Sequence, residues 1–369
     1  MFVVGIDAHT RYVVLVVVNK GGERVLGPTR VKVDSSSRLV EVLAPYRPLD
    51  AVVETSSSWP WLEERLTAVG VRFVLAHAKR LRAIAEANYK RDAIDAELLA
   101  RMHLAGLIPQ VYATPPGQRE WATLIRHRTV LVRQRTMLVN RIHAQLHTRG
   151  LYIARGHLLT RAGRQWLGTV ARQHVGVEQW RLVRSHLRLI AALRPLVRAL
   201  DRRTTQVAAT LPEAHLLQTI PGIGPHRALL LCAELLPITR FPSPGHVASY
   251  AGLVPCTGQS GTRPVWHGAI PAGANRWLRG AFVRAVVSHV TYAPTSWLSR
   301  YYQRQKARVG WPVARLATAR KLARAVHAML RTGTRWAADA GDAHTEQDGH
   351  RRCEPDRGEL QQLHAALTA

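Results

Sequence analysis

Four acidic residues carry the chemistry most legible in this sequence: Asp7, Glu54, Asp92 and Asp95. Asp7 closes an apolar run, Phe2-Val3-Val4-Gly5-Ile6-Asp7, and Glu54 closes another, Ala51-Val52-Val53-Glu54. Asp92 and Asp95 lie three apart in Lys90-Arg91-Asp92-Ala93-Ile94-Asp95, so a helix there puts both on one face. Crowded carboxylates repel one another and take up protons unless a cation neutralises them. Magnesium accepts a few hard carboxylate oxygens and keeps positions for water or phosphate oxygens. An ion so held orients an attacking group and stabilises a leaving oxygen in phosphodiester chemistry. Taken singly, each acid reads as a helix cap or an arginine partner. The four in this order point to a Mg2+ site.

The rest of the composition fits a polyanion partner. The chain has 369 residues, with 52 Lys and Arg against 24 Asp and Glu, a net charge of +28 and a pI near 11.4. Only six of the cations are lysine, and arginine is the side chain suited to bidentate phosphate contact. Nucleic acid is the first partner to expect and an acidic membrane surface the second. Cys232, Cys256 and Cys353 are isolated, without a CxxC spacing, which argues against zinc and a disulfide scaffold and suits a reducing cytosol. The amino terminus lacks a basic leader, and the longest apolar run, Tyr12 to Val18, is too short to span a bilayer. A soluble, cytoplasmic protein is expected.

The elements that must position the acids follow from the pattern. Residues 2–7, 12–18 and 23–33 are rich in β-branched residues and separated by turn signals, as a three-strand meander requires. A helix near 37–43, a strand at 51–54, a helix over 59–69, a strand at 72–75 and helices over 81–87 and 93–104 follow. That order predicts an α/β RNase H-like domain in which the first and fourth strands are neighbours. Asp7 and Glu54 would then lie close, with the helix of Asp92 and Asp95 arriving from the side.

Pro115-Pro116-Gly117 ends this domain, and residues 118–149 turn helical, with Leu124, Leu131 and Leu138 seven apart. Arg126, Arg133 and Arg141 belong to a run of seven arginines with one acid, Glu120. A second helical block, 177–211, carries Leu187, Leu189, Ile190, Leu193, Leu196 and Leu200. An antiparallel coiled-coil arm and an ordinary two-helix packing fit this pattern equally.

Between two further helices, Ile220-Pro221-Gly222-Ile223-Gly224-Pro225 reads as a helix-hairpin-helix turn or as a plain connection. In the first reading, backbone amides around Gly222 and Gly224 hold a phosphate. Residues 252–273 form a Gly- and Pro-rich insert containing Ser260-Gly261, which taken alone says little. Arg276 and Arg279 follow it, and Arg320 and Lys321 lie on a basic face farther on, all placed for phosphate contact. After Trp336 the chain turns acidic and polar, as in a disordered tail.

At this point the chain resembles the DEDD transposases of the insertion-sequence family numbered one hundred and ten. The resemblance rests on Gly5-Ile6-Asp7, Glu54, Lys90-Arg91-Asp92-Ala93-Ile94-Asp95-Ala96, Asn140-Arg141-Ile142-His143, Pro221-Gly222-Ile223-Gly224, Gly252-Leu253-Val254-Pro255 and Ala319-Arg320-Lys321-Leu322-Ala323. It implies a RuvC-like DEDD domain over 1–114, a coiled-coil spacer over 115–211, a transposase domain over 212–336 and a tail over 337–369. It further implies an RNA-guided serine recombinase. The family's Ser-Ser-Gly falls at Gln259-Ser260-Gly261, so the resemblance makes Ser260 the nucleophile candidate. Expected partners are donor and target DNA, a non-coding guide RNA and further copies of the chain, with action at the bacterial nucleoid. The family's Thr-Lys-Arg-Gly-Asn-Arg is replaced here by Pro271-Ala272-Gly273-Ala274-Asn275-Arg276, and His9 and Thr10 also depart from the common pattern. A junction-resolving nuclease using the carboxylates alone, and a non-enzymatic nucleic-acid-binding protein, are the alternatives.

Overall fold

Runs of valine and isoleucine, stiff at χ1 and well suited to a pleated surface, form the first strands of the computed structural model. These are β1 (Phe2–Ala8), β2 (Tyr12–Asn19) and β3 (Arg24–Lys32). Helix α1 (Ser36–Leu43), strand β4 (Leu49–Glu54), helix α2 (Trp59–Thr67) and strand β5 (Arg72–Ala76) follow. Helices α3 (Ala78–Ile84) and α4 (Asp92–Leu104) and the short strand β6 (Gln110–Val111) complete the first unit, Met1–Pro116. The structure describes residues 1–84, 92–255, 257–258, 266–268, 270–271 and 273–338. Ser260, Lys90, Arg91 and the tail beyond residue 338 lie outside the described residues.

The sheet runs in the order β3-β2-β1-β4-β5-β6. β1, β2 and β3 pair antiparallel, and β1 pairs parallel with β4. The expected meander and the neighbouring of first and fourth strands are both present. Alternation along each strand fills two cores. Val4, Ile6, Leu15, Val17, Ala51 and Val53 pack with Leu39 and Leu62 of α1 and α2. Val3, Val16, Val52 and Val74 pack on the other face with Ala96, Leu99 and Ala100 of α4. Apolar side chains on both faces explain why these strands read as nearly unbroken hydrophobic runs.

The second unit, Gly117–Ala369, is mostly helical among its described residues. The long helix α5 (Pro116–His147) is followed by the short α6 (Arg161–Trp166) and α7 (Arg172–His174), and then by α8 (Val177–Ala209). α5 and α8 run antiparallel: Arg128 Nε donates to Asp201 Oδ1 at 2.8 Å, while Arg149 Nε donates to Gln179 Oε1 at 2.7 Å. Val183, Ile190 and Val197, spaced by seven, are the buried face of α8. Two leucines of the predicted apolar set, Leu189 and Leu196, are instead 53% and 54% exposed.

Six more helices surround the largest core: α9 (Pro212–Gln218), α10 (Pro225–Leu235), α11 (Pro244–Tyr250), α12 (Arg276–Tyr292), α13 (Trp297–Val309) and α14 (Trp311–Thr332). Proline stands at the start of α9, α10, α11 and α14, where its missing N–H costs no helical bond. Two-residue strands β7 (Thr257–Gly258) and β8 (Trp266–His267) pair within the insert, which the sequence pattern presents as loop alone. Among the described residues no helix is long and apolar enough to cross a membrane.

Candidate metal centre and nucleic-acid interface

The candidate metal centre starts from a glycine. A Cβ on Gly5 would stand 1.8 Å from the Ala96 carbonyl oxygen and 2.9 Å from the Ala100 nitrogen. Only glycine in β1 and alanines in α4 allow the helix to lie directly on the strand. Asp7 is two residues beyond Gly5 and so faces the same side of the sheet. The β1–β4 register ends at Ile6↔Val53, so Asp7 and Glu54 are the next residues along adjacent parallel strands. Glu54 shares the α4 side with Val52, by the same alternation.

α4 begins at Asp92 and carries Asp92 and Asp95 in its first turn, where the helix dipole favours negative charge. The ligand atoms of Asp7, His9 and Asp92 all lie within 4.8 Å of one another, and all three residues are half-buried. His9 Nε2 is 2.9 Å from Asp7 Oδ2 and 3.2 Å from Asp92 Oδ2. Tyr12 donates its hydroxyl to Asp92 Oδ2 at 3.1 Å and stacks on the His9 ring with centroids 4.6 Å apart. Arg30 caps the other side of that phenol, its guanidinium carbon 3.7 Å from the ring centroid.

Burial raises the Asp7 pKa above the ordinary carboxylate value; His9 opposes this through its charge and hydrogen bond, and Asp92 and Asp95 add to it. A carboxylate that resists ionisation among other acids is what a cation would relieve. Two carboxylates and an imidazole are a suitable donor set for a divalent ion. Of the four predicted acids, the structure brings Asp7 and Asp92 into one ligand group, sets Asp95 within electrostatic reach of Asp7, and places Glu54 on the neighbouring strand end. His9 and Tyr12 were not predicted. Both meet Asp92, some eighty residues on, and a histidine in a turn carries no local signal.

The other predicted residues lie in the helical unit. Arg126 donates to Glu234 Oε1 at 2.6 Å, and Asn275 Nδ2 donates to Glu234 Oε2 at 2.6 Å, so this arginine serves a buried carboxylate. Asn275 also caps α12, accepting from the Trp277 and Leu278 amides at 3.1 and 3.0 Å. Arg133 and Arg141 line one exposed face of α5 with Met137, and Arg133 also lies 5.2 Å from the Trp277 ring centroid. Gly222, at φ +89°, leaves no room for a Cβ, which would meet the His289 nitrogen at 2.7 Å. Its carbonyl accepts from Arg227, and Pro221 accepts from His289 Nδ1 at 2.9 Å. The hairpin is therefore seated on α12, while Gly224, the residue just before α10, is exposed. Arg320 is exposed, and Lys321 reaches over the Tyr301 ring at 5.1 Å.

The insert expected to present Ser260 has a closed neck. The Asn275 amide donates to the Tyr250 carbonyl at 3.0 Å. Gly252, at φ +65°, lies where a Cβ would be 2.6 Å from Ala274 Cβ, with Arg279 close by. Arg276 is exposed at the first turn of α12 beside this neck, and Arg279 is half-buried one turn on.

Comparison with known proteins agrees with this layout. Residues 214–303, from α9 into α13, match the model described as "Transposase IS116/IS110/IS902 family", and residues 4–149 match its DEDD transposase model. A protein of insertion element IS110 from Streptomyces coelicolor is 37% identical over 139 residues, 37% of this chain and 33% of that protein. The transposase for insertion sequence element IS1328 of Yersinia enterocolitica is 26% identical, across 81% of this chain and 89% of its own length. The transposase for element IS1111A of Coxiella burnetii is 27% identical, over 71% and 72% respectively. The two models together span more than half of the sequence, and the chain belongs to the IS116/IS110/IS902 family of insertion-sequence transposases.

Proposed function

We propose that this transposase cuts and rejoins DNA with Ser260 as nucleophile, assisted by a RuvC-like carboxylate site of Asp7, Glu54, Asp92 and Asp95. The strand order of the first unit supports the RuvC-like reading. The observation that carries the site is the meeting of Asp7, whose pKa is raised, with Asp92 from a segment far away in sequence. Mg2+, the ion favoured by an oxygen-rich site, would neutralise phosphate charge there when bound. Asp7 and Asp92 would hold it, with Glu54 and Asp95 completing the acidic set.

In the reaction, the Ser260 hydroxyl loses its proton and its oxygen bonds to phosphorus, while a deoxyribose oxygen leaves with the electron pair and takes up a proton. The broken end stays on the protein as a phosphoserine ester, which keeps the bond energy for attack by a second deoxyribose hydroxyl. Arg276 and Arg279 stabilise charge on the phosphate oxygens. Arg133, Arg141, Arg320, Lys321 and the amides near Gly224 contribute backbone contacts. The guide RNA rests on the family resemblance. A homo-oligomer is supported by Leu182, Leu189 and Leu196, exposed at seven-residue spacing on α8, which is also the support for a coiled-coil spacer.

Denaturing gels of labelled donor DNA incubated with protein test the reaction. Wild type should leave a protein-linked strand, and Ser260→Ala should lose both the adduct and strand exchange while binding DNA normally. Cleavage by Ser260→Ala at wild-type rate without an adduct would replace the serine route with hydrolysis at the carboxylates.

A further inference from the structure

We propose that His9 is a direct ligand of the metal bound between Asp7 and Asp92, and that it shifts this site's preference from Mg2+ toward Mn2+. The inference rests on the carboxylate-site reading given above and adds to it a nitrogen donor and a selectivity.

The geometry carries the argument. In an octahedral ion with bonds of ~2.1 Å, neighbouring ligand atoms lie roughly 3 Å apart. His9 Nε2 is 2.9 Å from Asp7 Oδ2 and 3.2 Å from Asp92 Oδ2, so one nitrogen and two oxygens already stand at the spacing of adjacent vertices. The same nitrogen faces two carboxylates from different elements, so an ion seated between them would find it within ligand reach. Its ring is also fixed. The His9 amide donates to the Tyr12 carbonyl at 3.0 Å, the imidazole stacks on the Tyr12 ring, and the Tyr12 hydroxyl holds Asp92. Arg30 lies on the far side of that ring. One aromatic residue therefore orients two of the three donors, which is how protein ligands are usually held for a metal.

Selectivity follows from ligand type. Mg2+ strongly favours oxygen, whereas imidazole is a good ligand for transition-metal ions. An oxygen-only site would favour Mg2+ at cellular abundance; one nitrogen tilts the balance toward Mn2+ without excluding Mg2+.

The experiment uses full-length protein with substoichiometric Mn2+ as the probe, read by pulsed electron paramagnetic resonance and by competition with Mg2+. The wild-type spectrum should show coupling to a directly bound nitrogen that disappears in His9→Gln. Mn2+ affinity should fall at least ~10-fold in that variant, and Mg2+ affinity by a smaller factor. His9→Asp, which restores an oxygen donor, should bind both ions and reverse the preference. Circular dichroism checks that each variant is folded. Bound Mn2+ with no nitrogen coupling that depends on His9, lost only in Asp92→Asn, would reduce His9 to a hydrogen-bonding prop and overturn the proposal while leaving the carboxylate site standing. Absence of a Mn2+ site sensitive to Asp92→Asn would remove the carboxylate reading and this inference together.

Discussion

A half-buried carboxylate set beside two other acids stores a cost that depends on pH. Burial, reinforced by Asp92 and Asp95 and opposed by His9, raises the Asp7 pKa. The folded chain then holds this proton to higher pH than the unfolded chain does. Stability is therefore lost as pH rises from the unfolded value of ~3.9 through the raised folded value, and the loss stays constant above that window. Asp7→Asn removes the penalty. In chelator at pH 7 the variant should melt above wild type, whereas added Mg2+ or Mn2+ should raise the melting temperature of wild type alone. Paired thermal melts check this, and a variant that melts lower in chelator would contradict the sign. The acid itself was legible in sequence because it interrupts an apolar run. Glu234, in Leu229-Leu230-Leu231-Cys232-Ala233-Glu234-Leu235, gives the same signal and is more deeply buried, yet it serves Arg126 and Asn275 within the helical core. His9 and Tyr12 could not be read this way, since the Tyr12–Asp92 bond links residues 80 apart.

Among the elements, the docking of α4 on β1 decides whether the acids meet at all. Gly5→Ala would drive a methyl group into the Ala96 carbonyl, and neither backbone can retreat without moving α4. Overpacking of this kind costs ~1–3 kcal/mol or more, and here it also separates Asp92 from Asp7. Gly5→Ala should lower the melting temperature and abolish Mn2+ binding together. Gly22→Ala, in an open turn at φ +81° with nothing within 4 Å, should cost only ~1 kcal/mol and leave binding intact. Denaturant titration with a metal-binding assay separates the two. Element types were largely legible, since β-branched runs gave the strands and the apolar spacing gave the long helices. Which face of α8 is buried was not, because Leu189 and Leu196 lie next to Val183, Ile190 and Val197 on the helix surface, and leucine is as apolar as what it borders. Only the position of α5 decides between them.

At the scale of the whole molecule, several described acids are engaged with cations, so the arginines and histidine that face them are taken up in ion pairs rather than left for a polyanion. Asp50 is held by Arg72 and His103, Glu97 by Arg24 and Arg101, Asp201 by Arg128 and Glu234 by Arg126. The local run of arginines in α5 looked uncompensated because two of its counter-charges, Asp201 and Glu234, come from other helices. Individual arginines should thus differ sharply in what they do. DNA affinity should fall steeply with salt, by ~0.9 in log–log slope per phosphate contact. Arg320→Ala should flatten that slope by ~1 with little change in stability. Arg126→Ala should leave the slope alone and destabilise by roughly 2–3 kcal/mol, since Glu234 is buried but the Arg126 side chain is 44% exposed. Filter binding across a salt series and thermal melts measure the two effects on the same variants.

The tie between Tyr250 and Asn275 has a consequence for how such a protein can diversify. With both ends of the intervening stretch anchored to the helical core, residues could be added, removed or exchanged there without shifting α11 or α12. Lineages descended from one scaffold could thereby vary the length of the stretch around Ser260 while inheriting the supporting architecture unchanged.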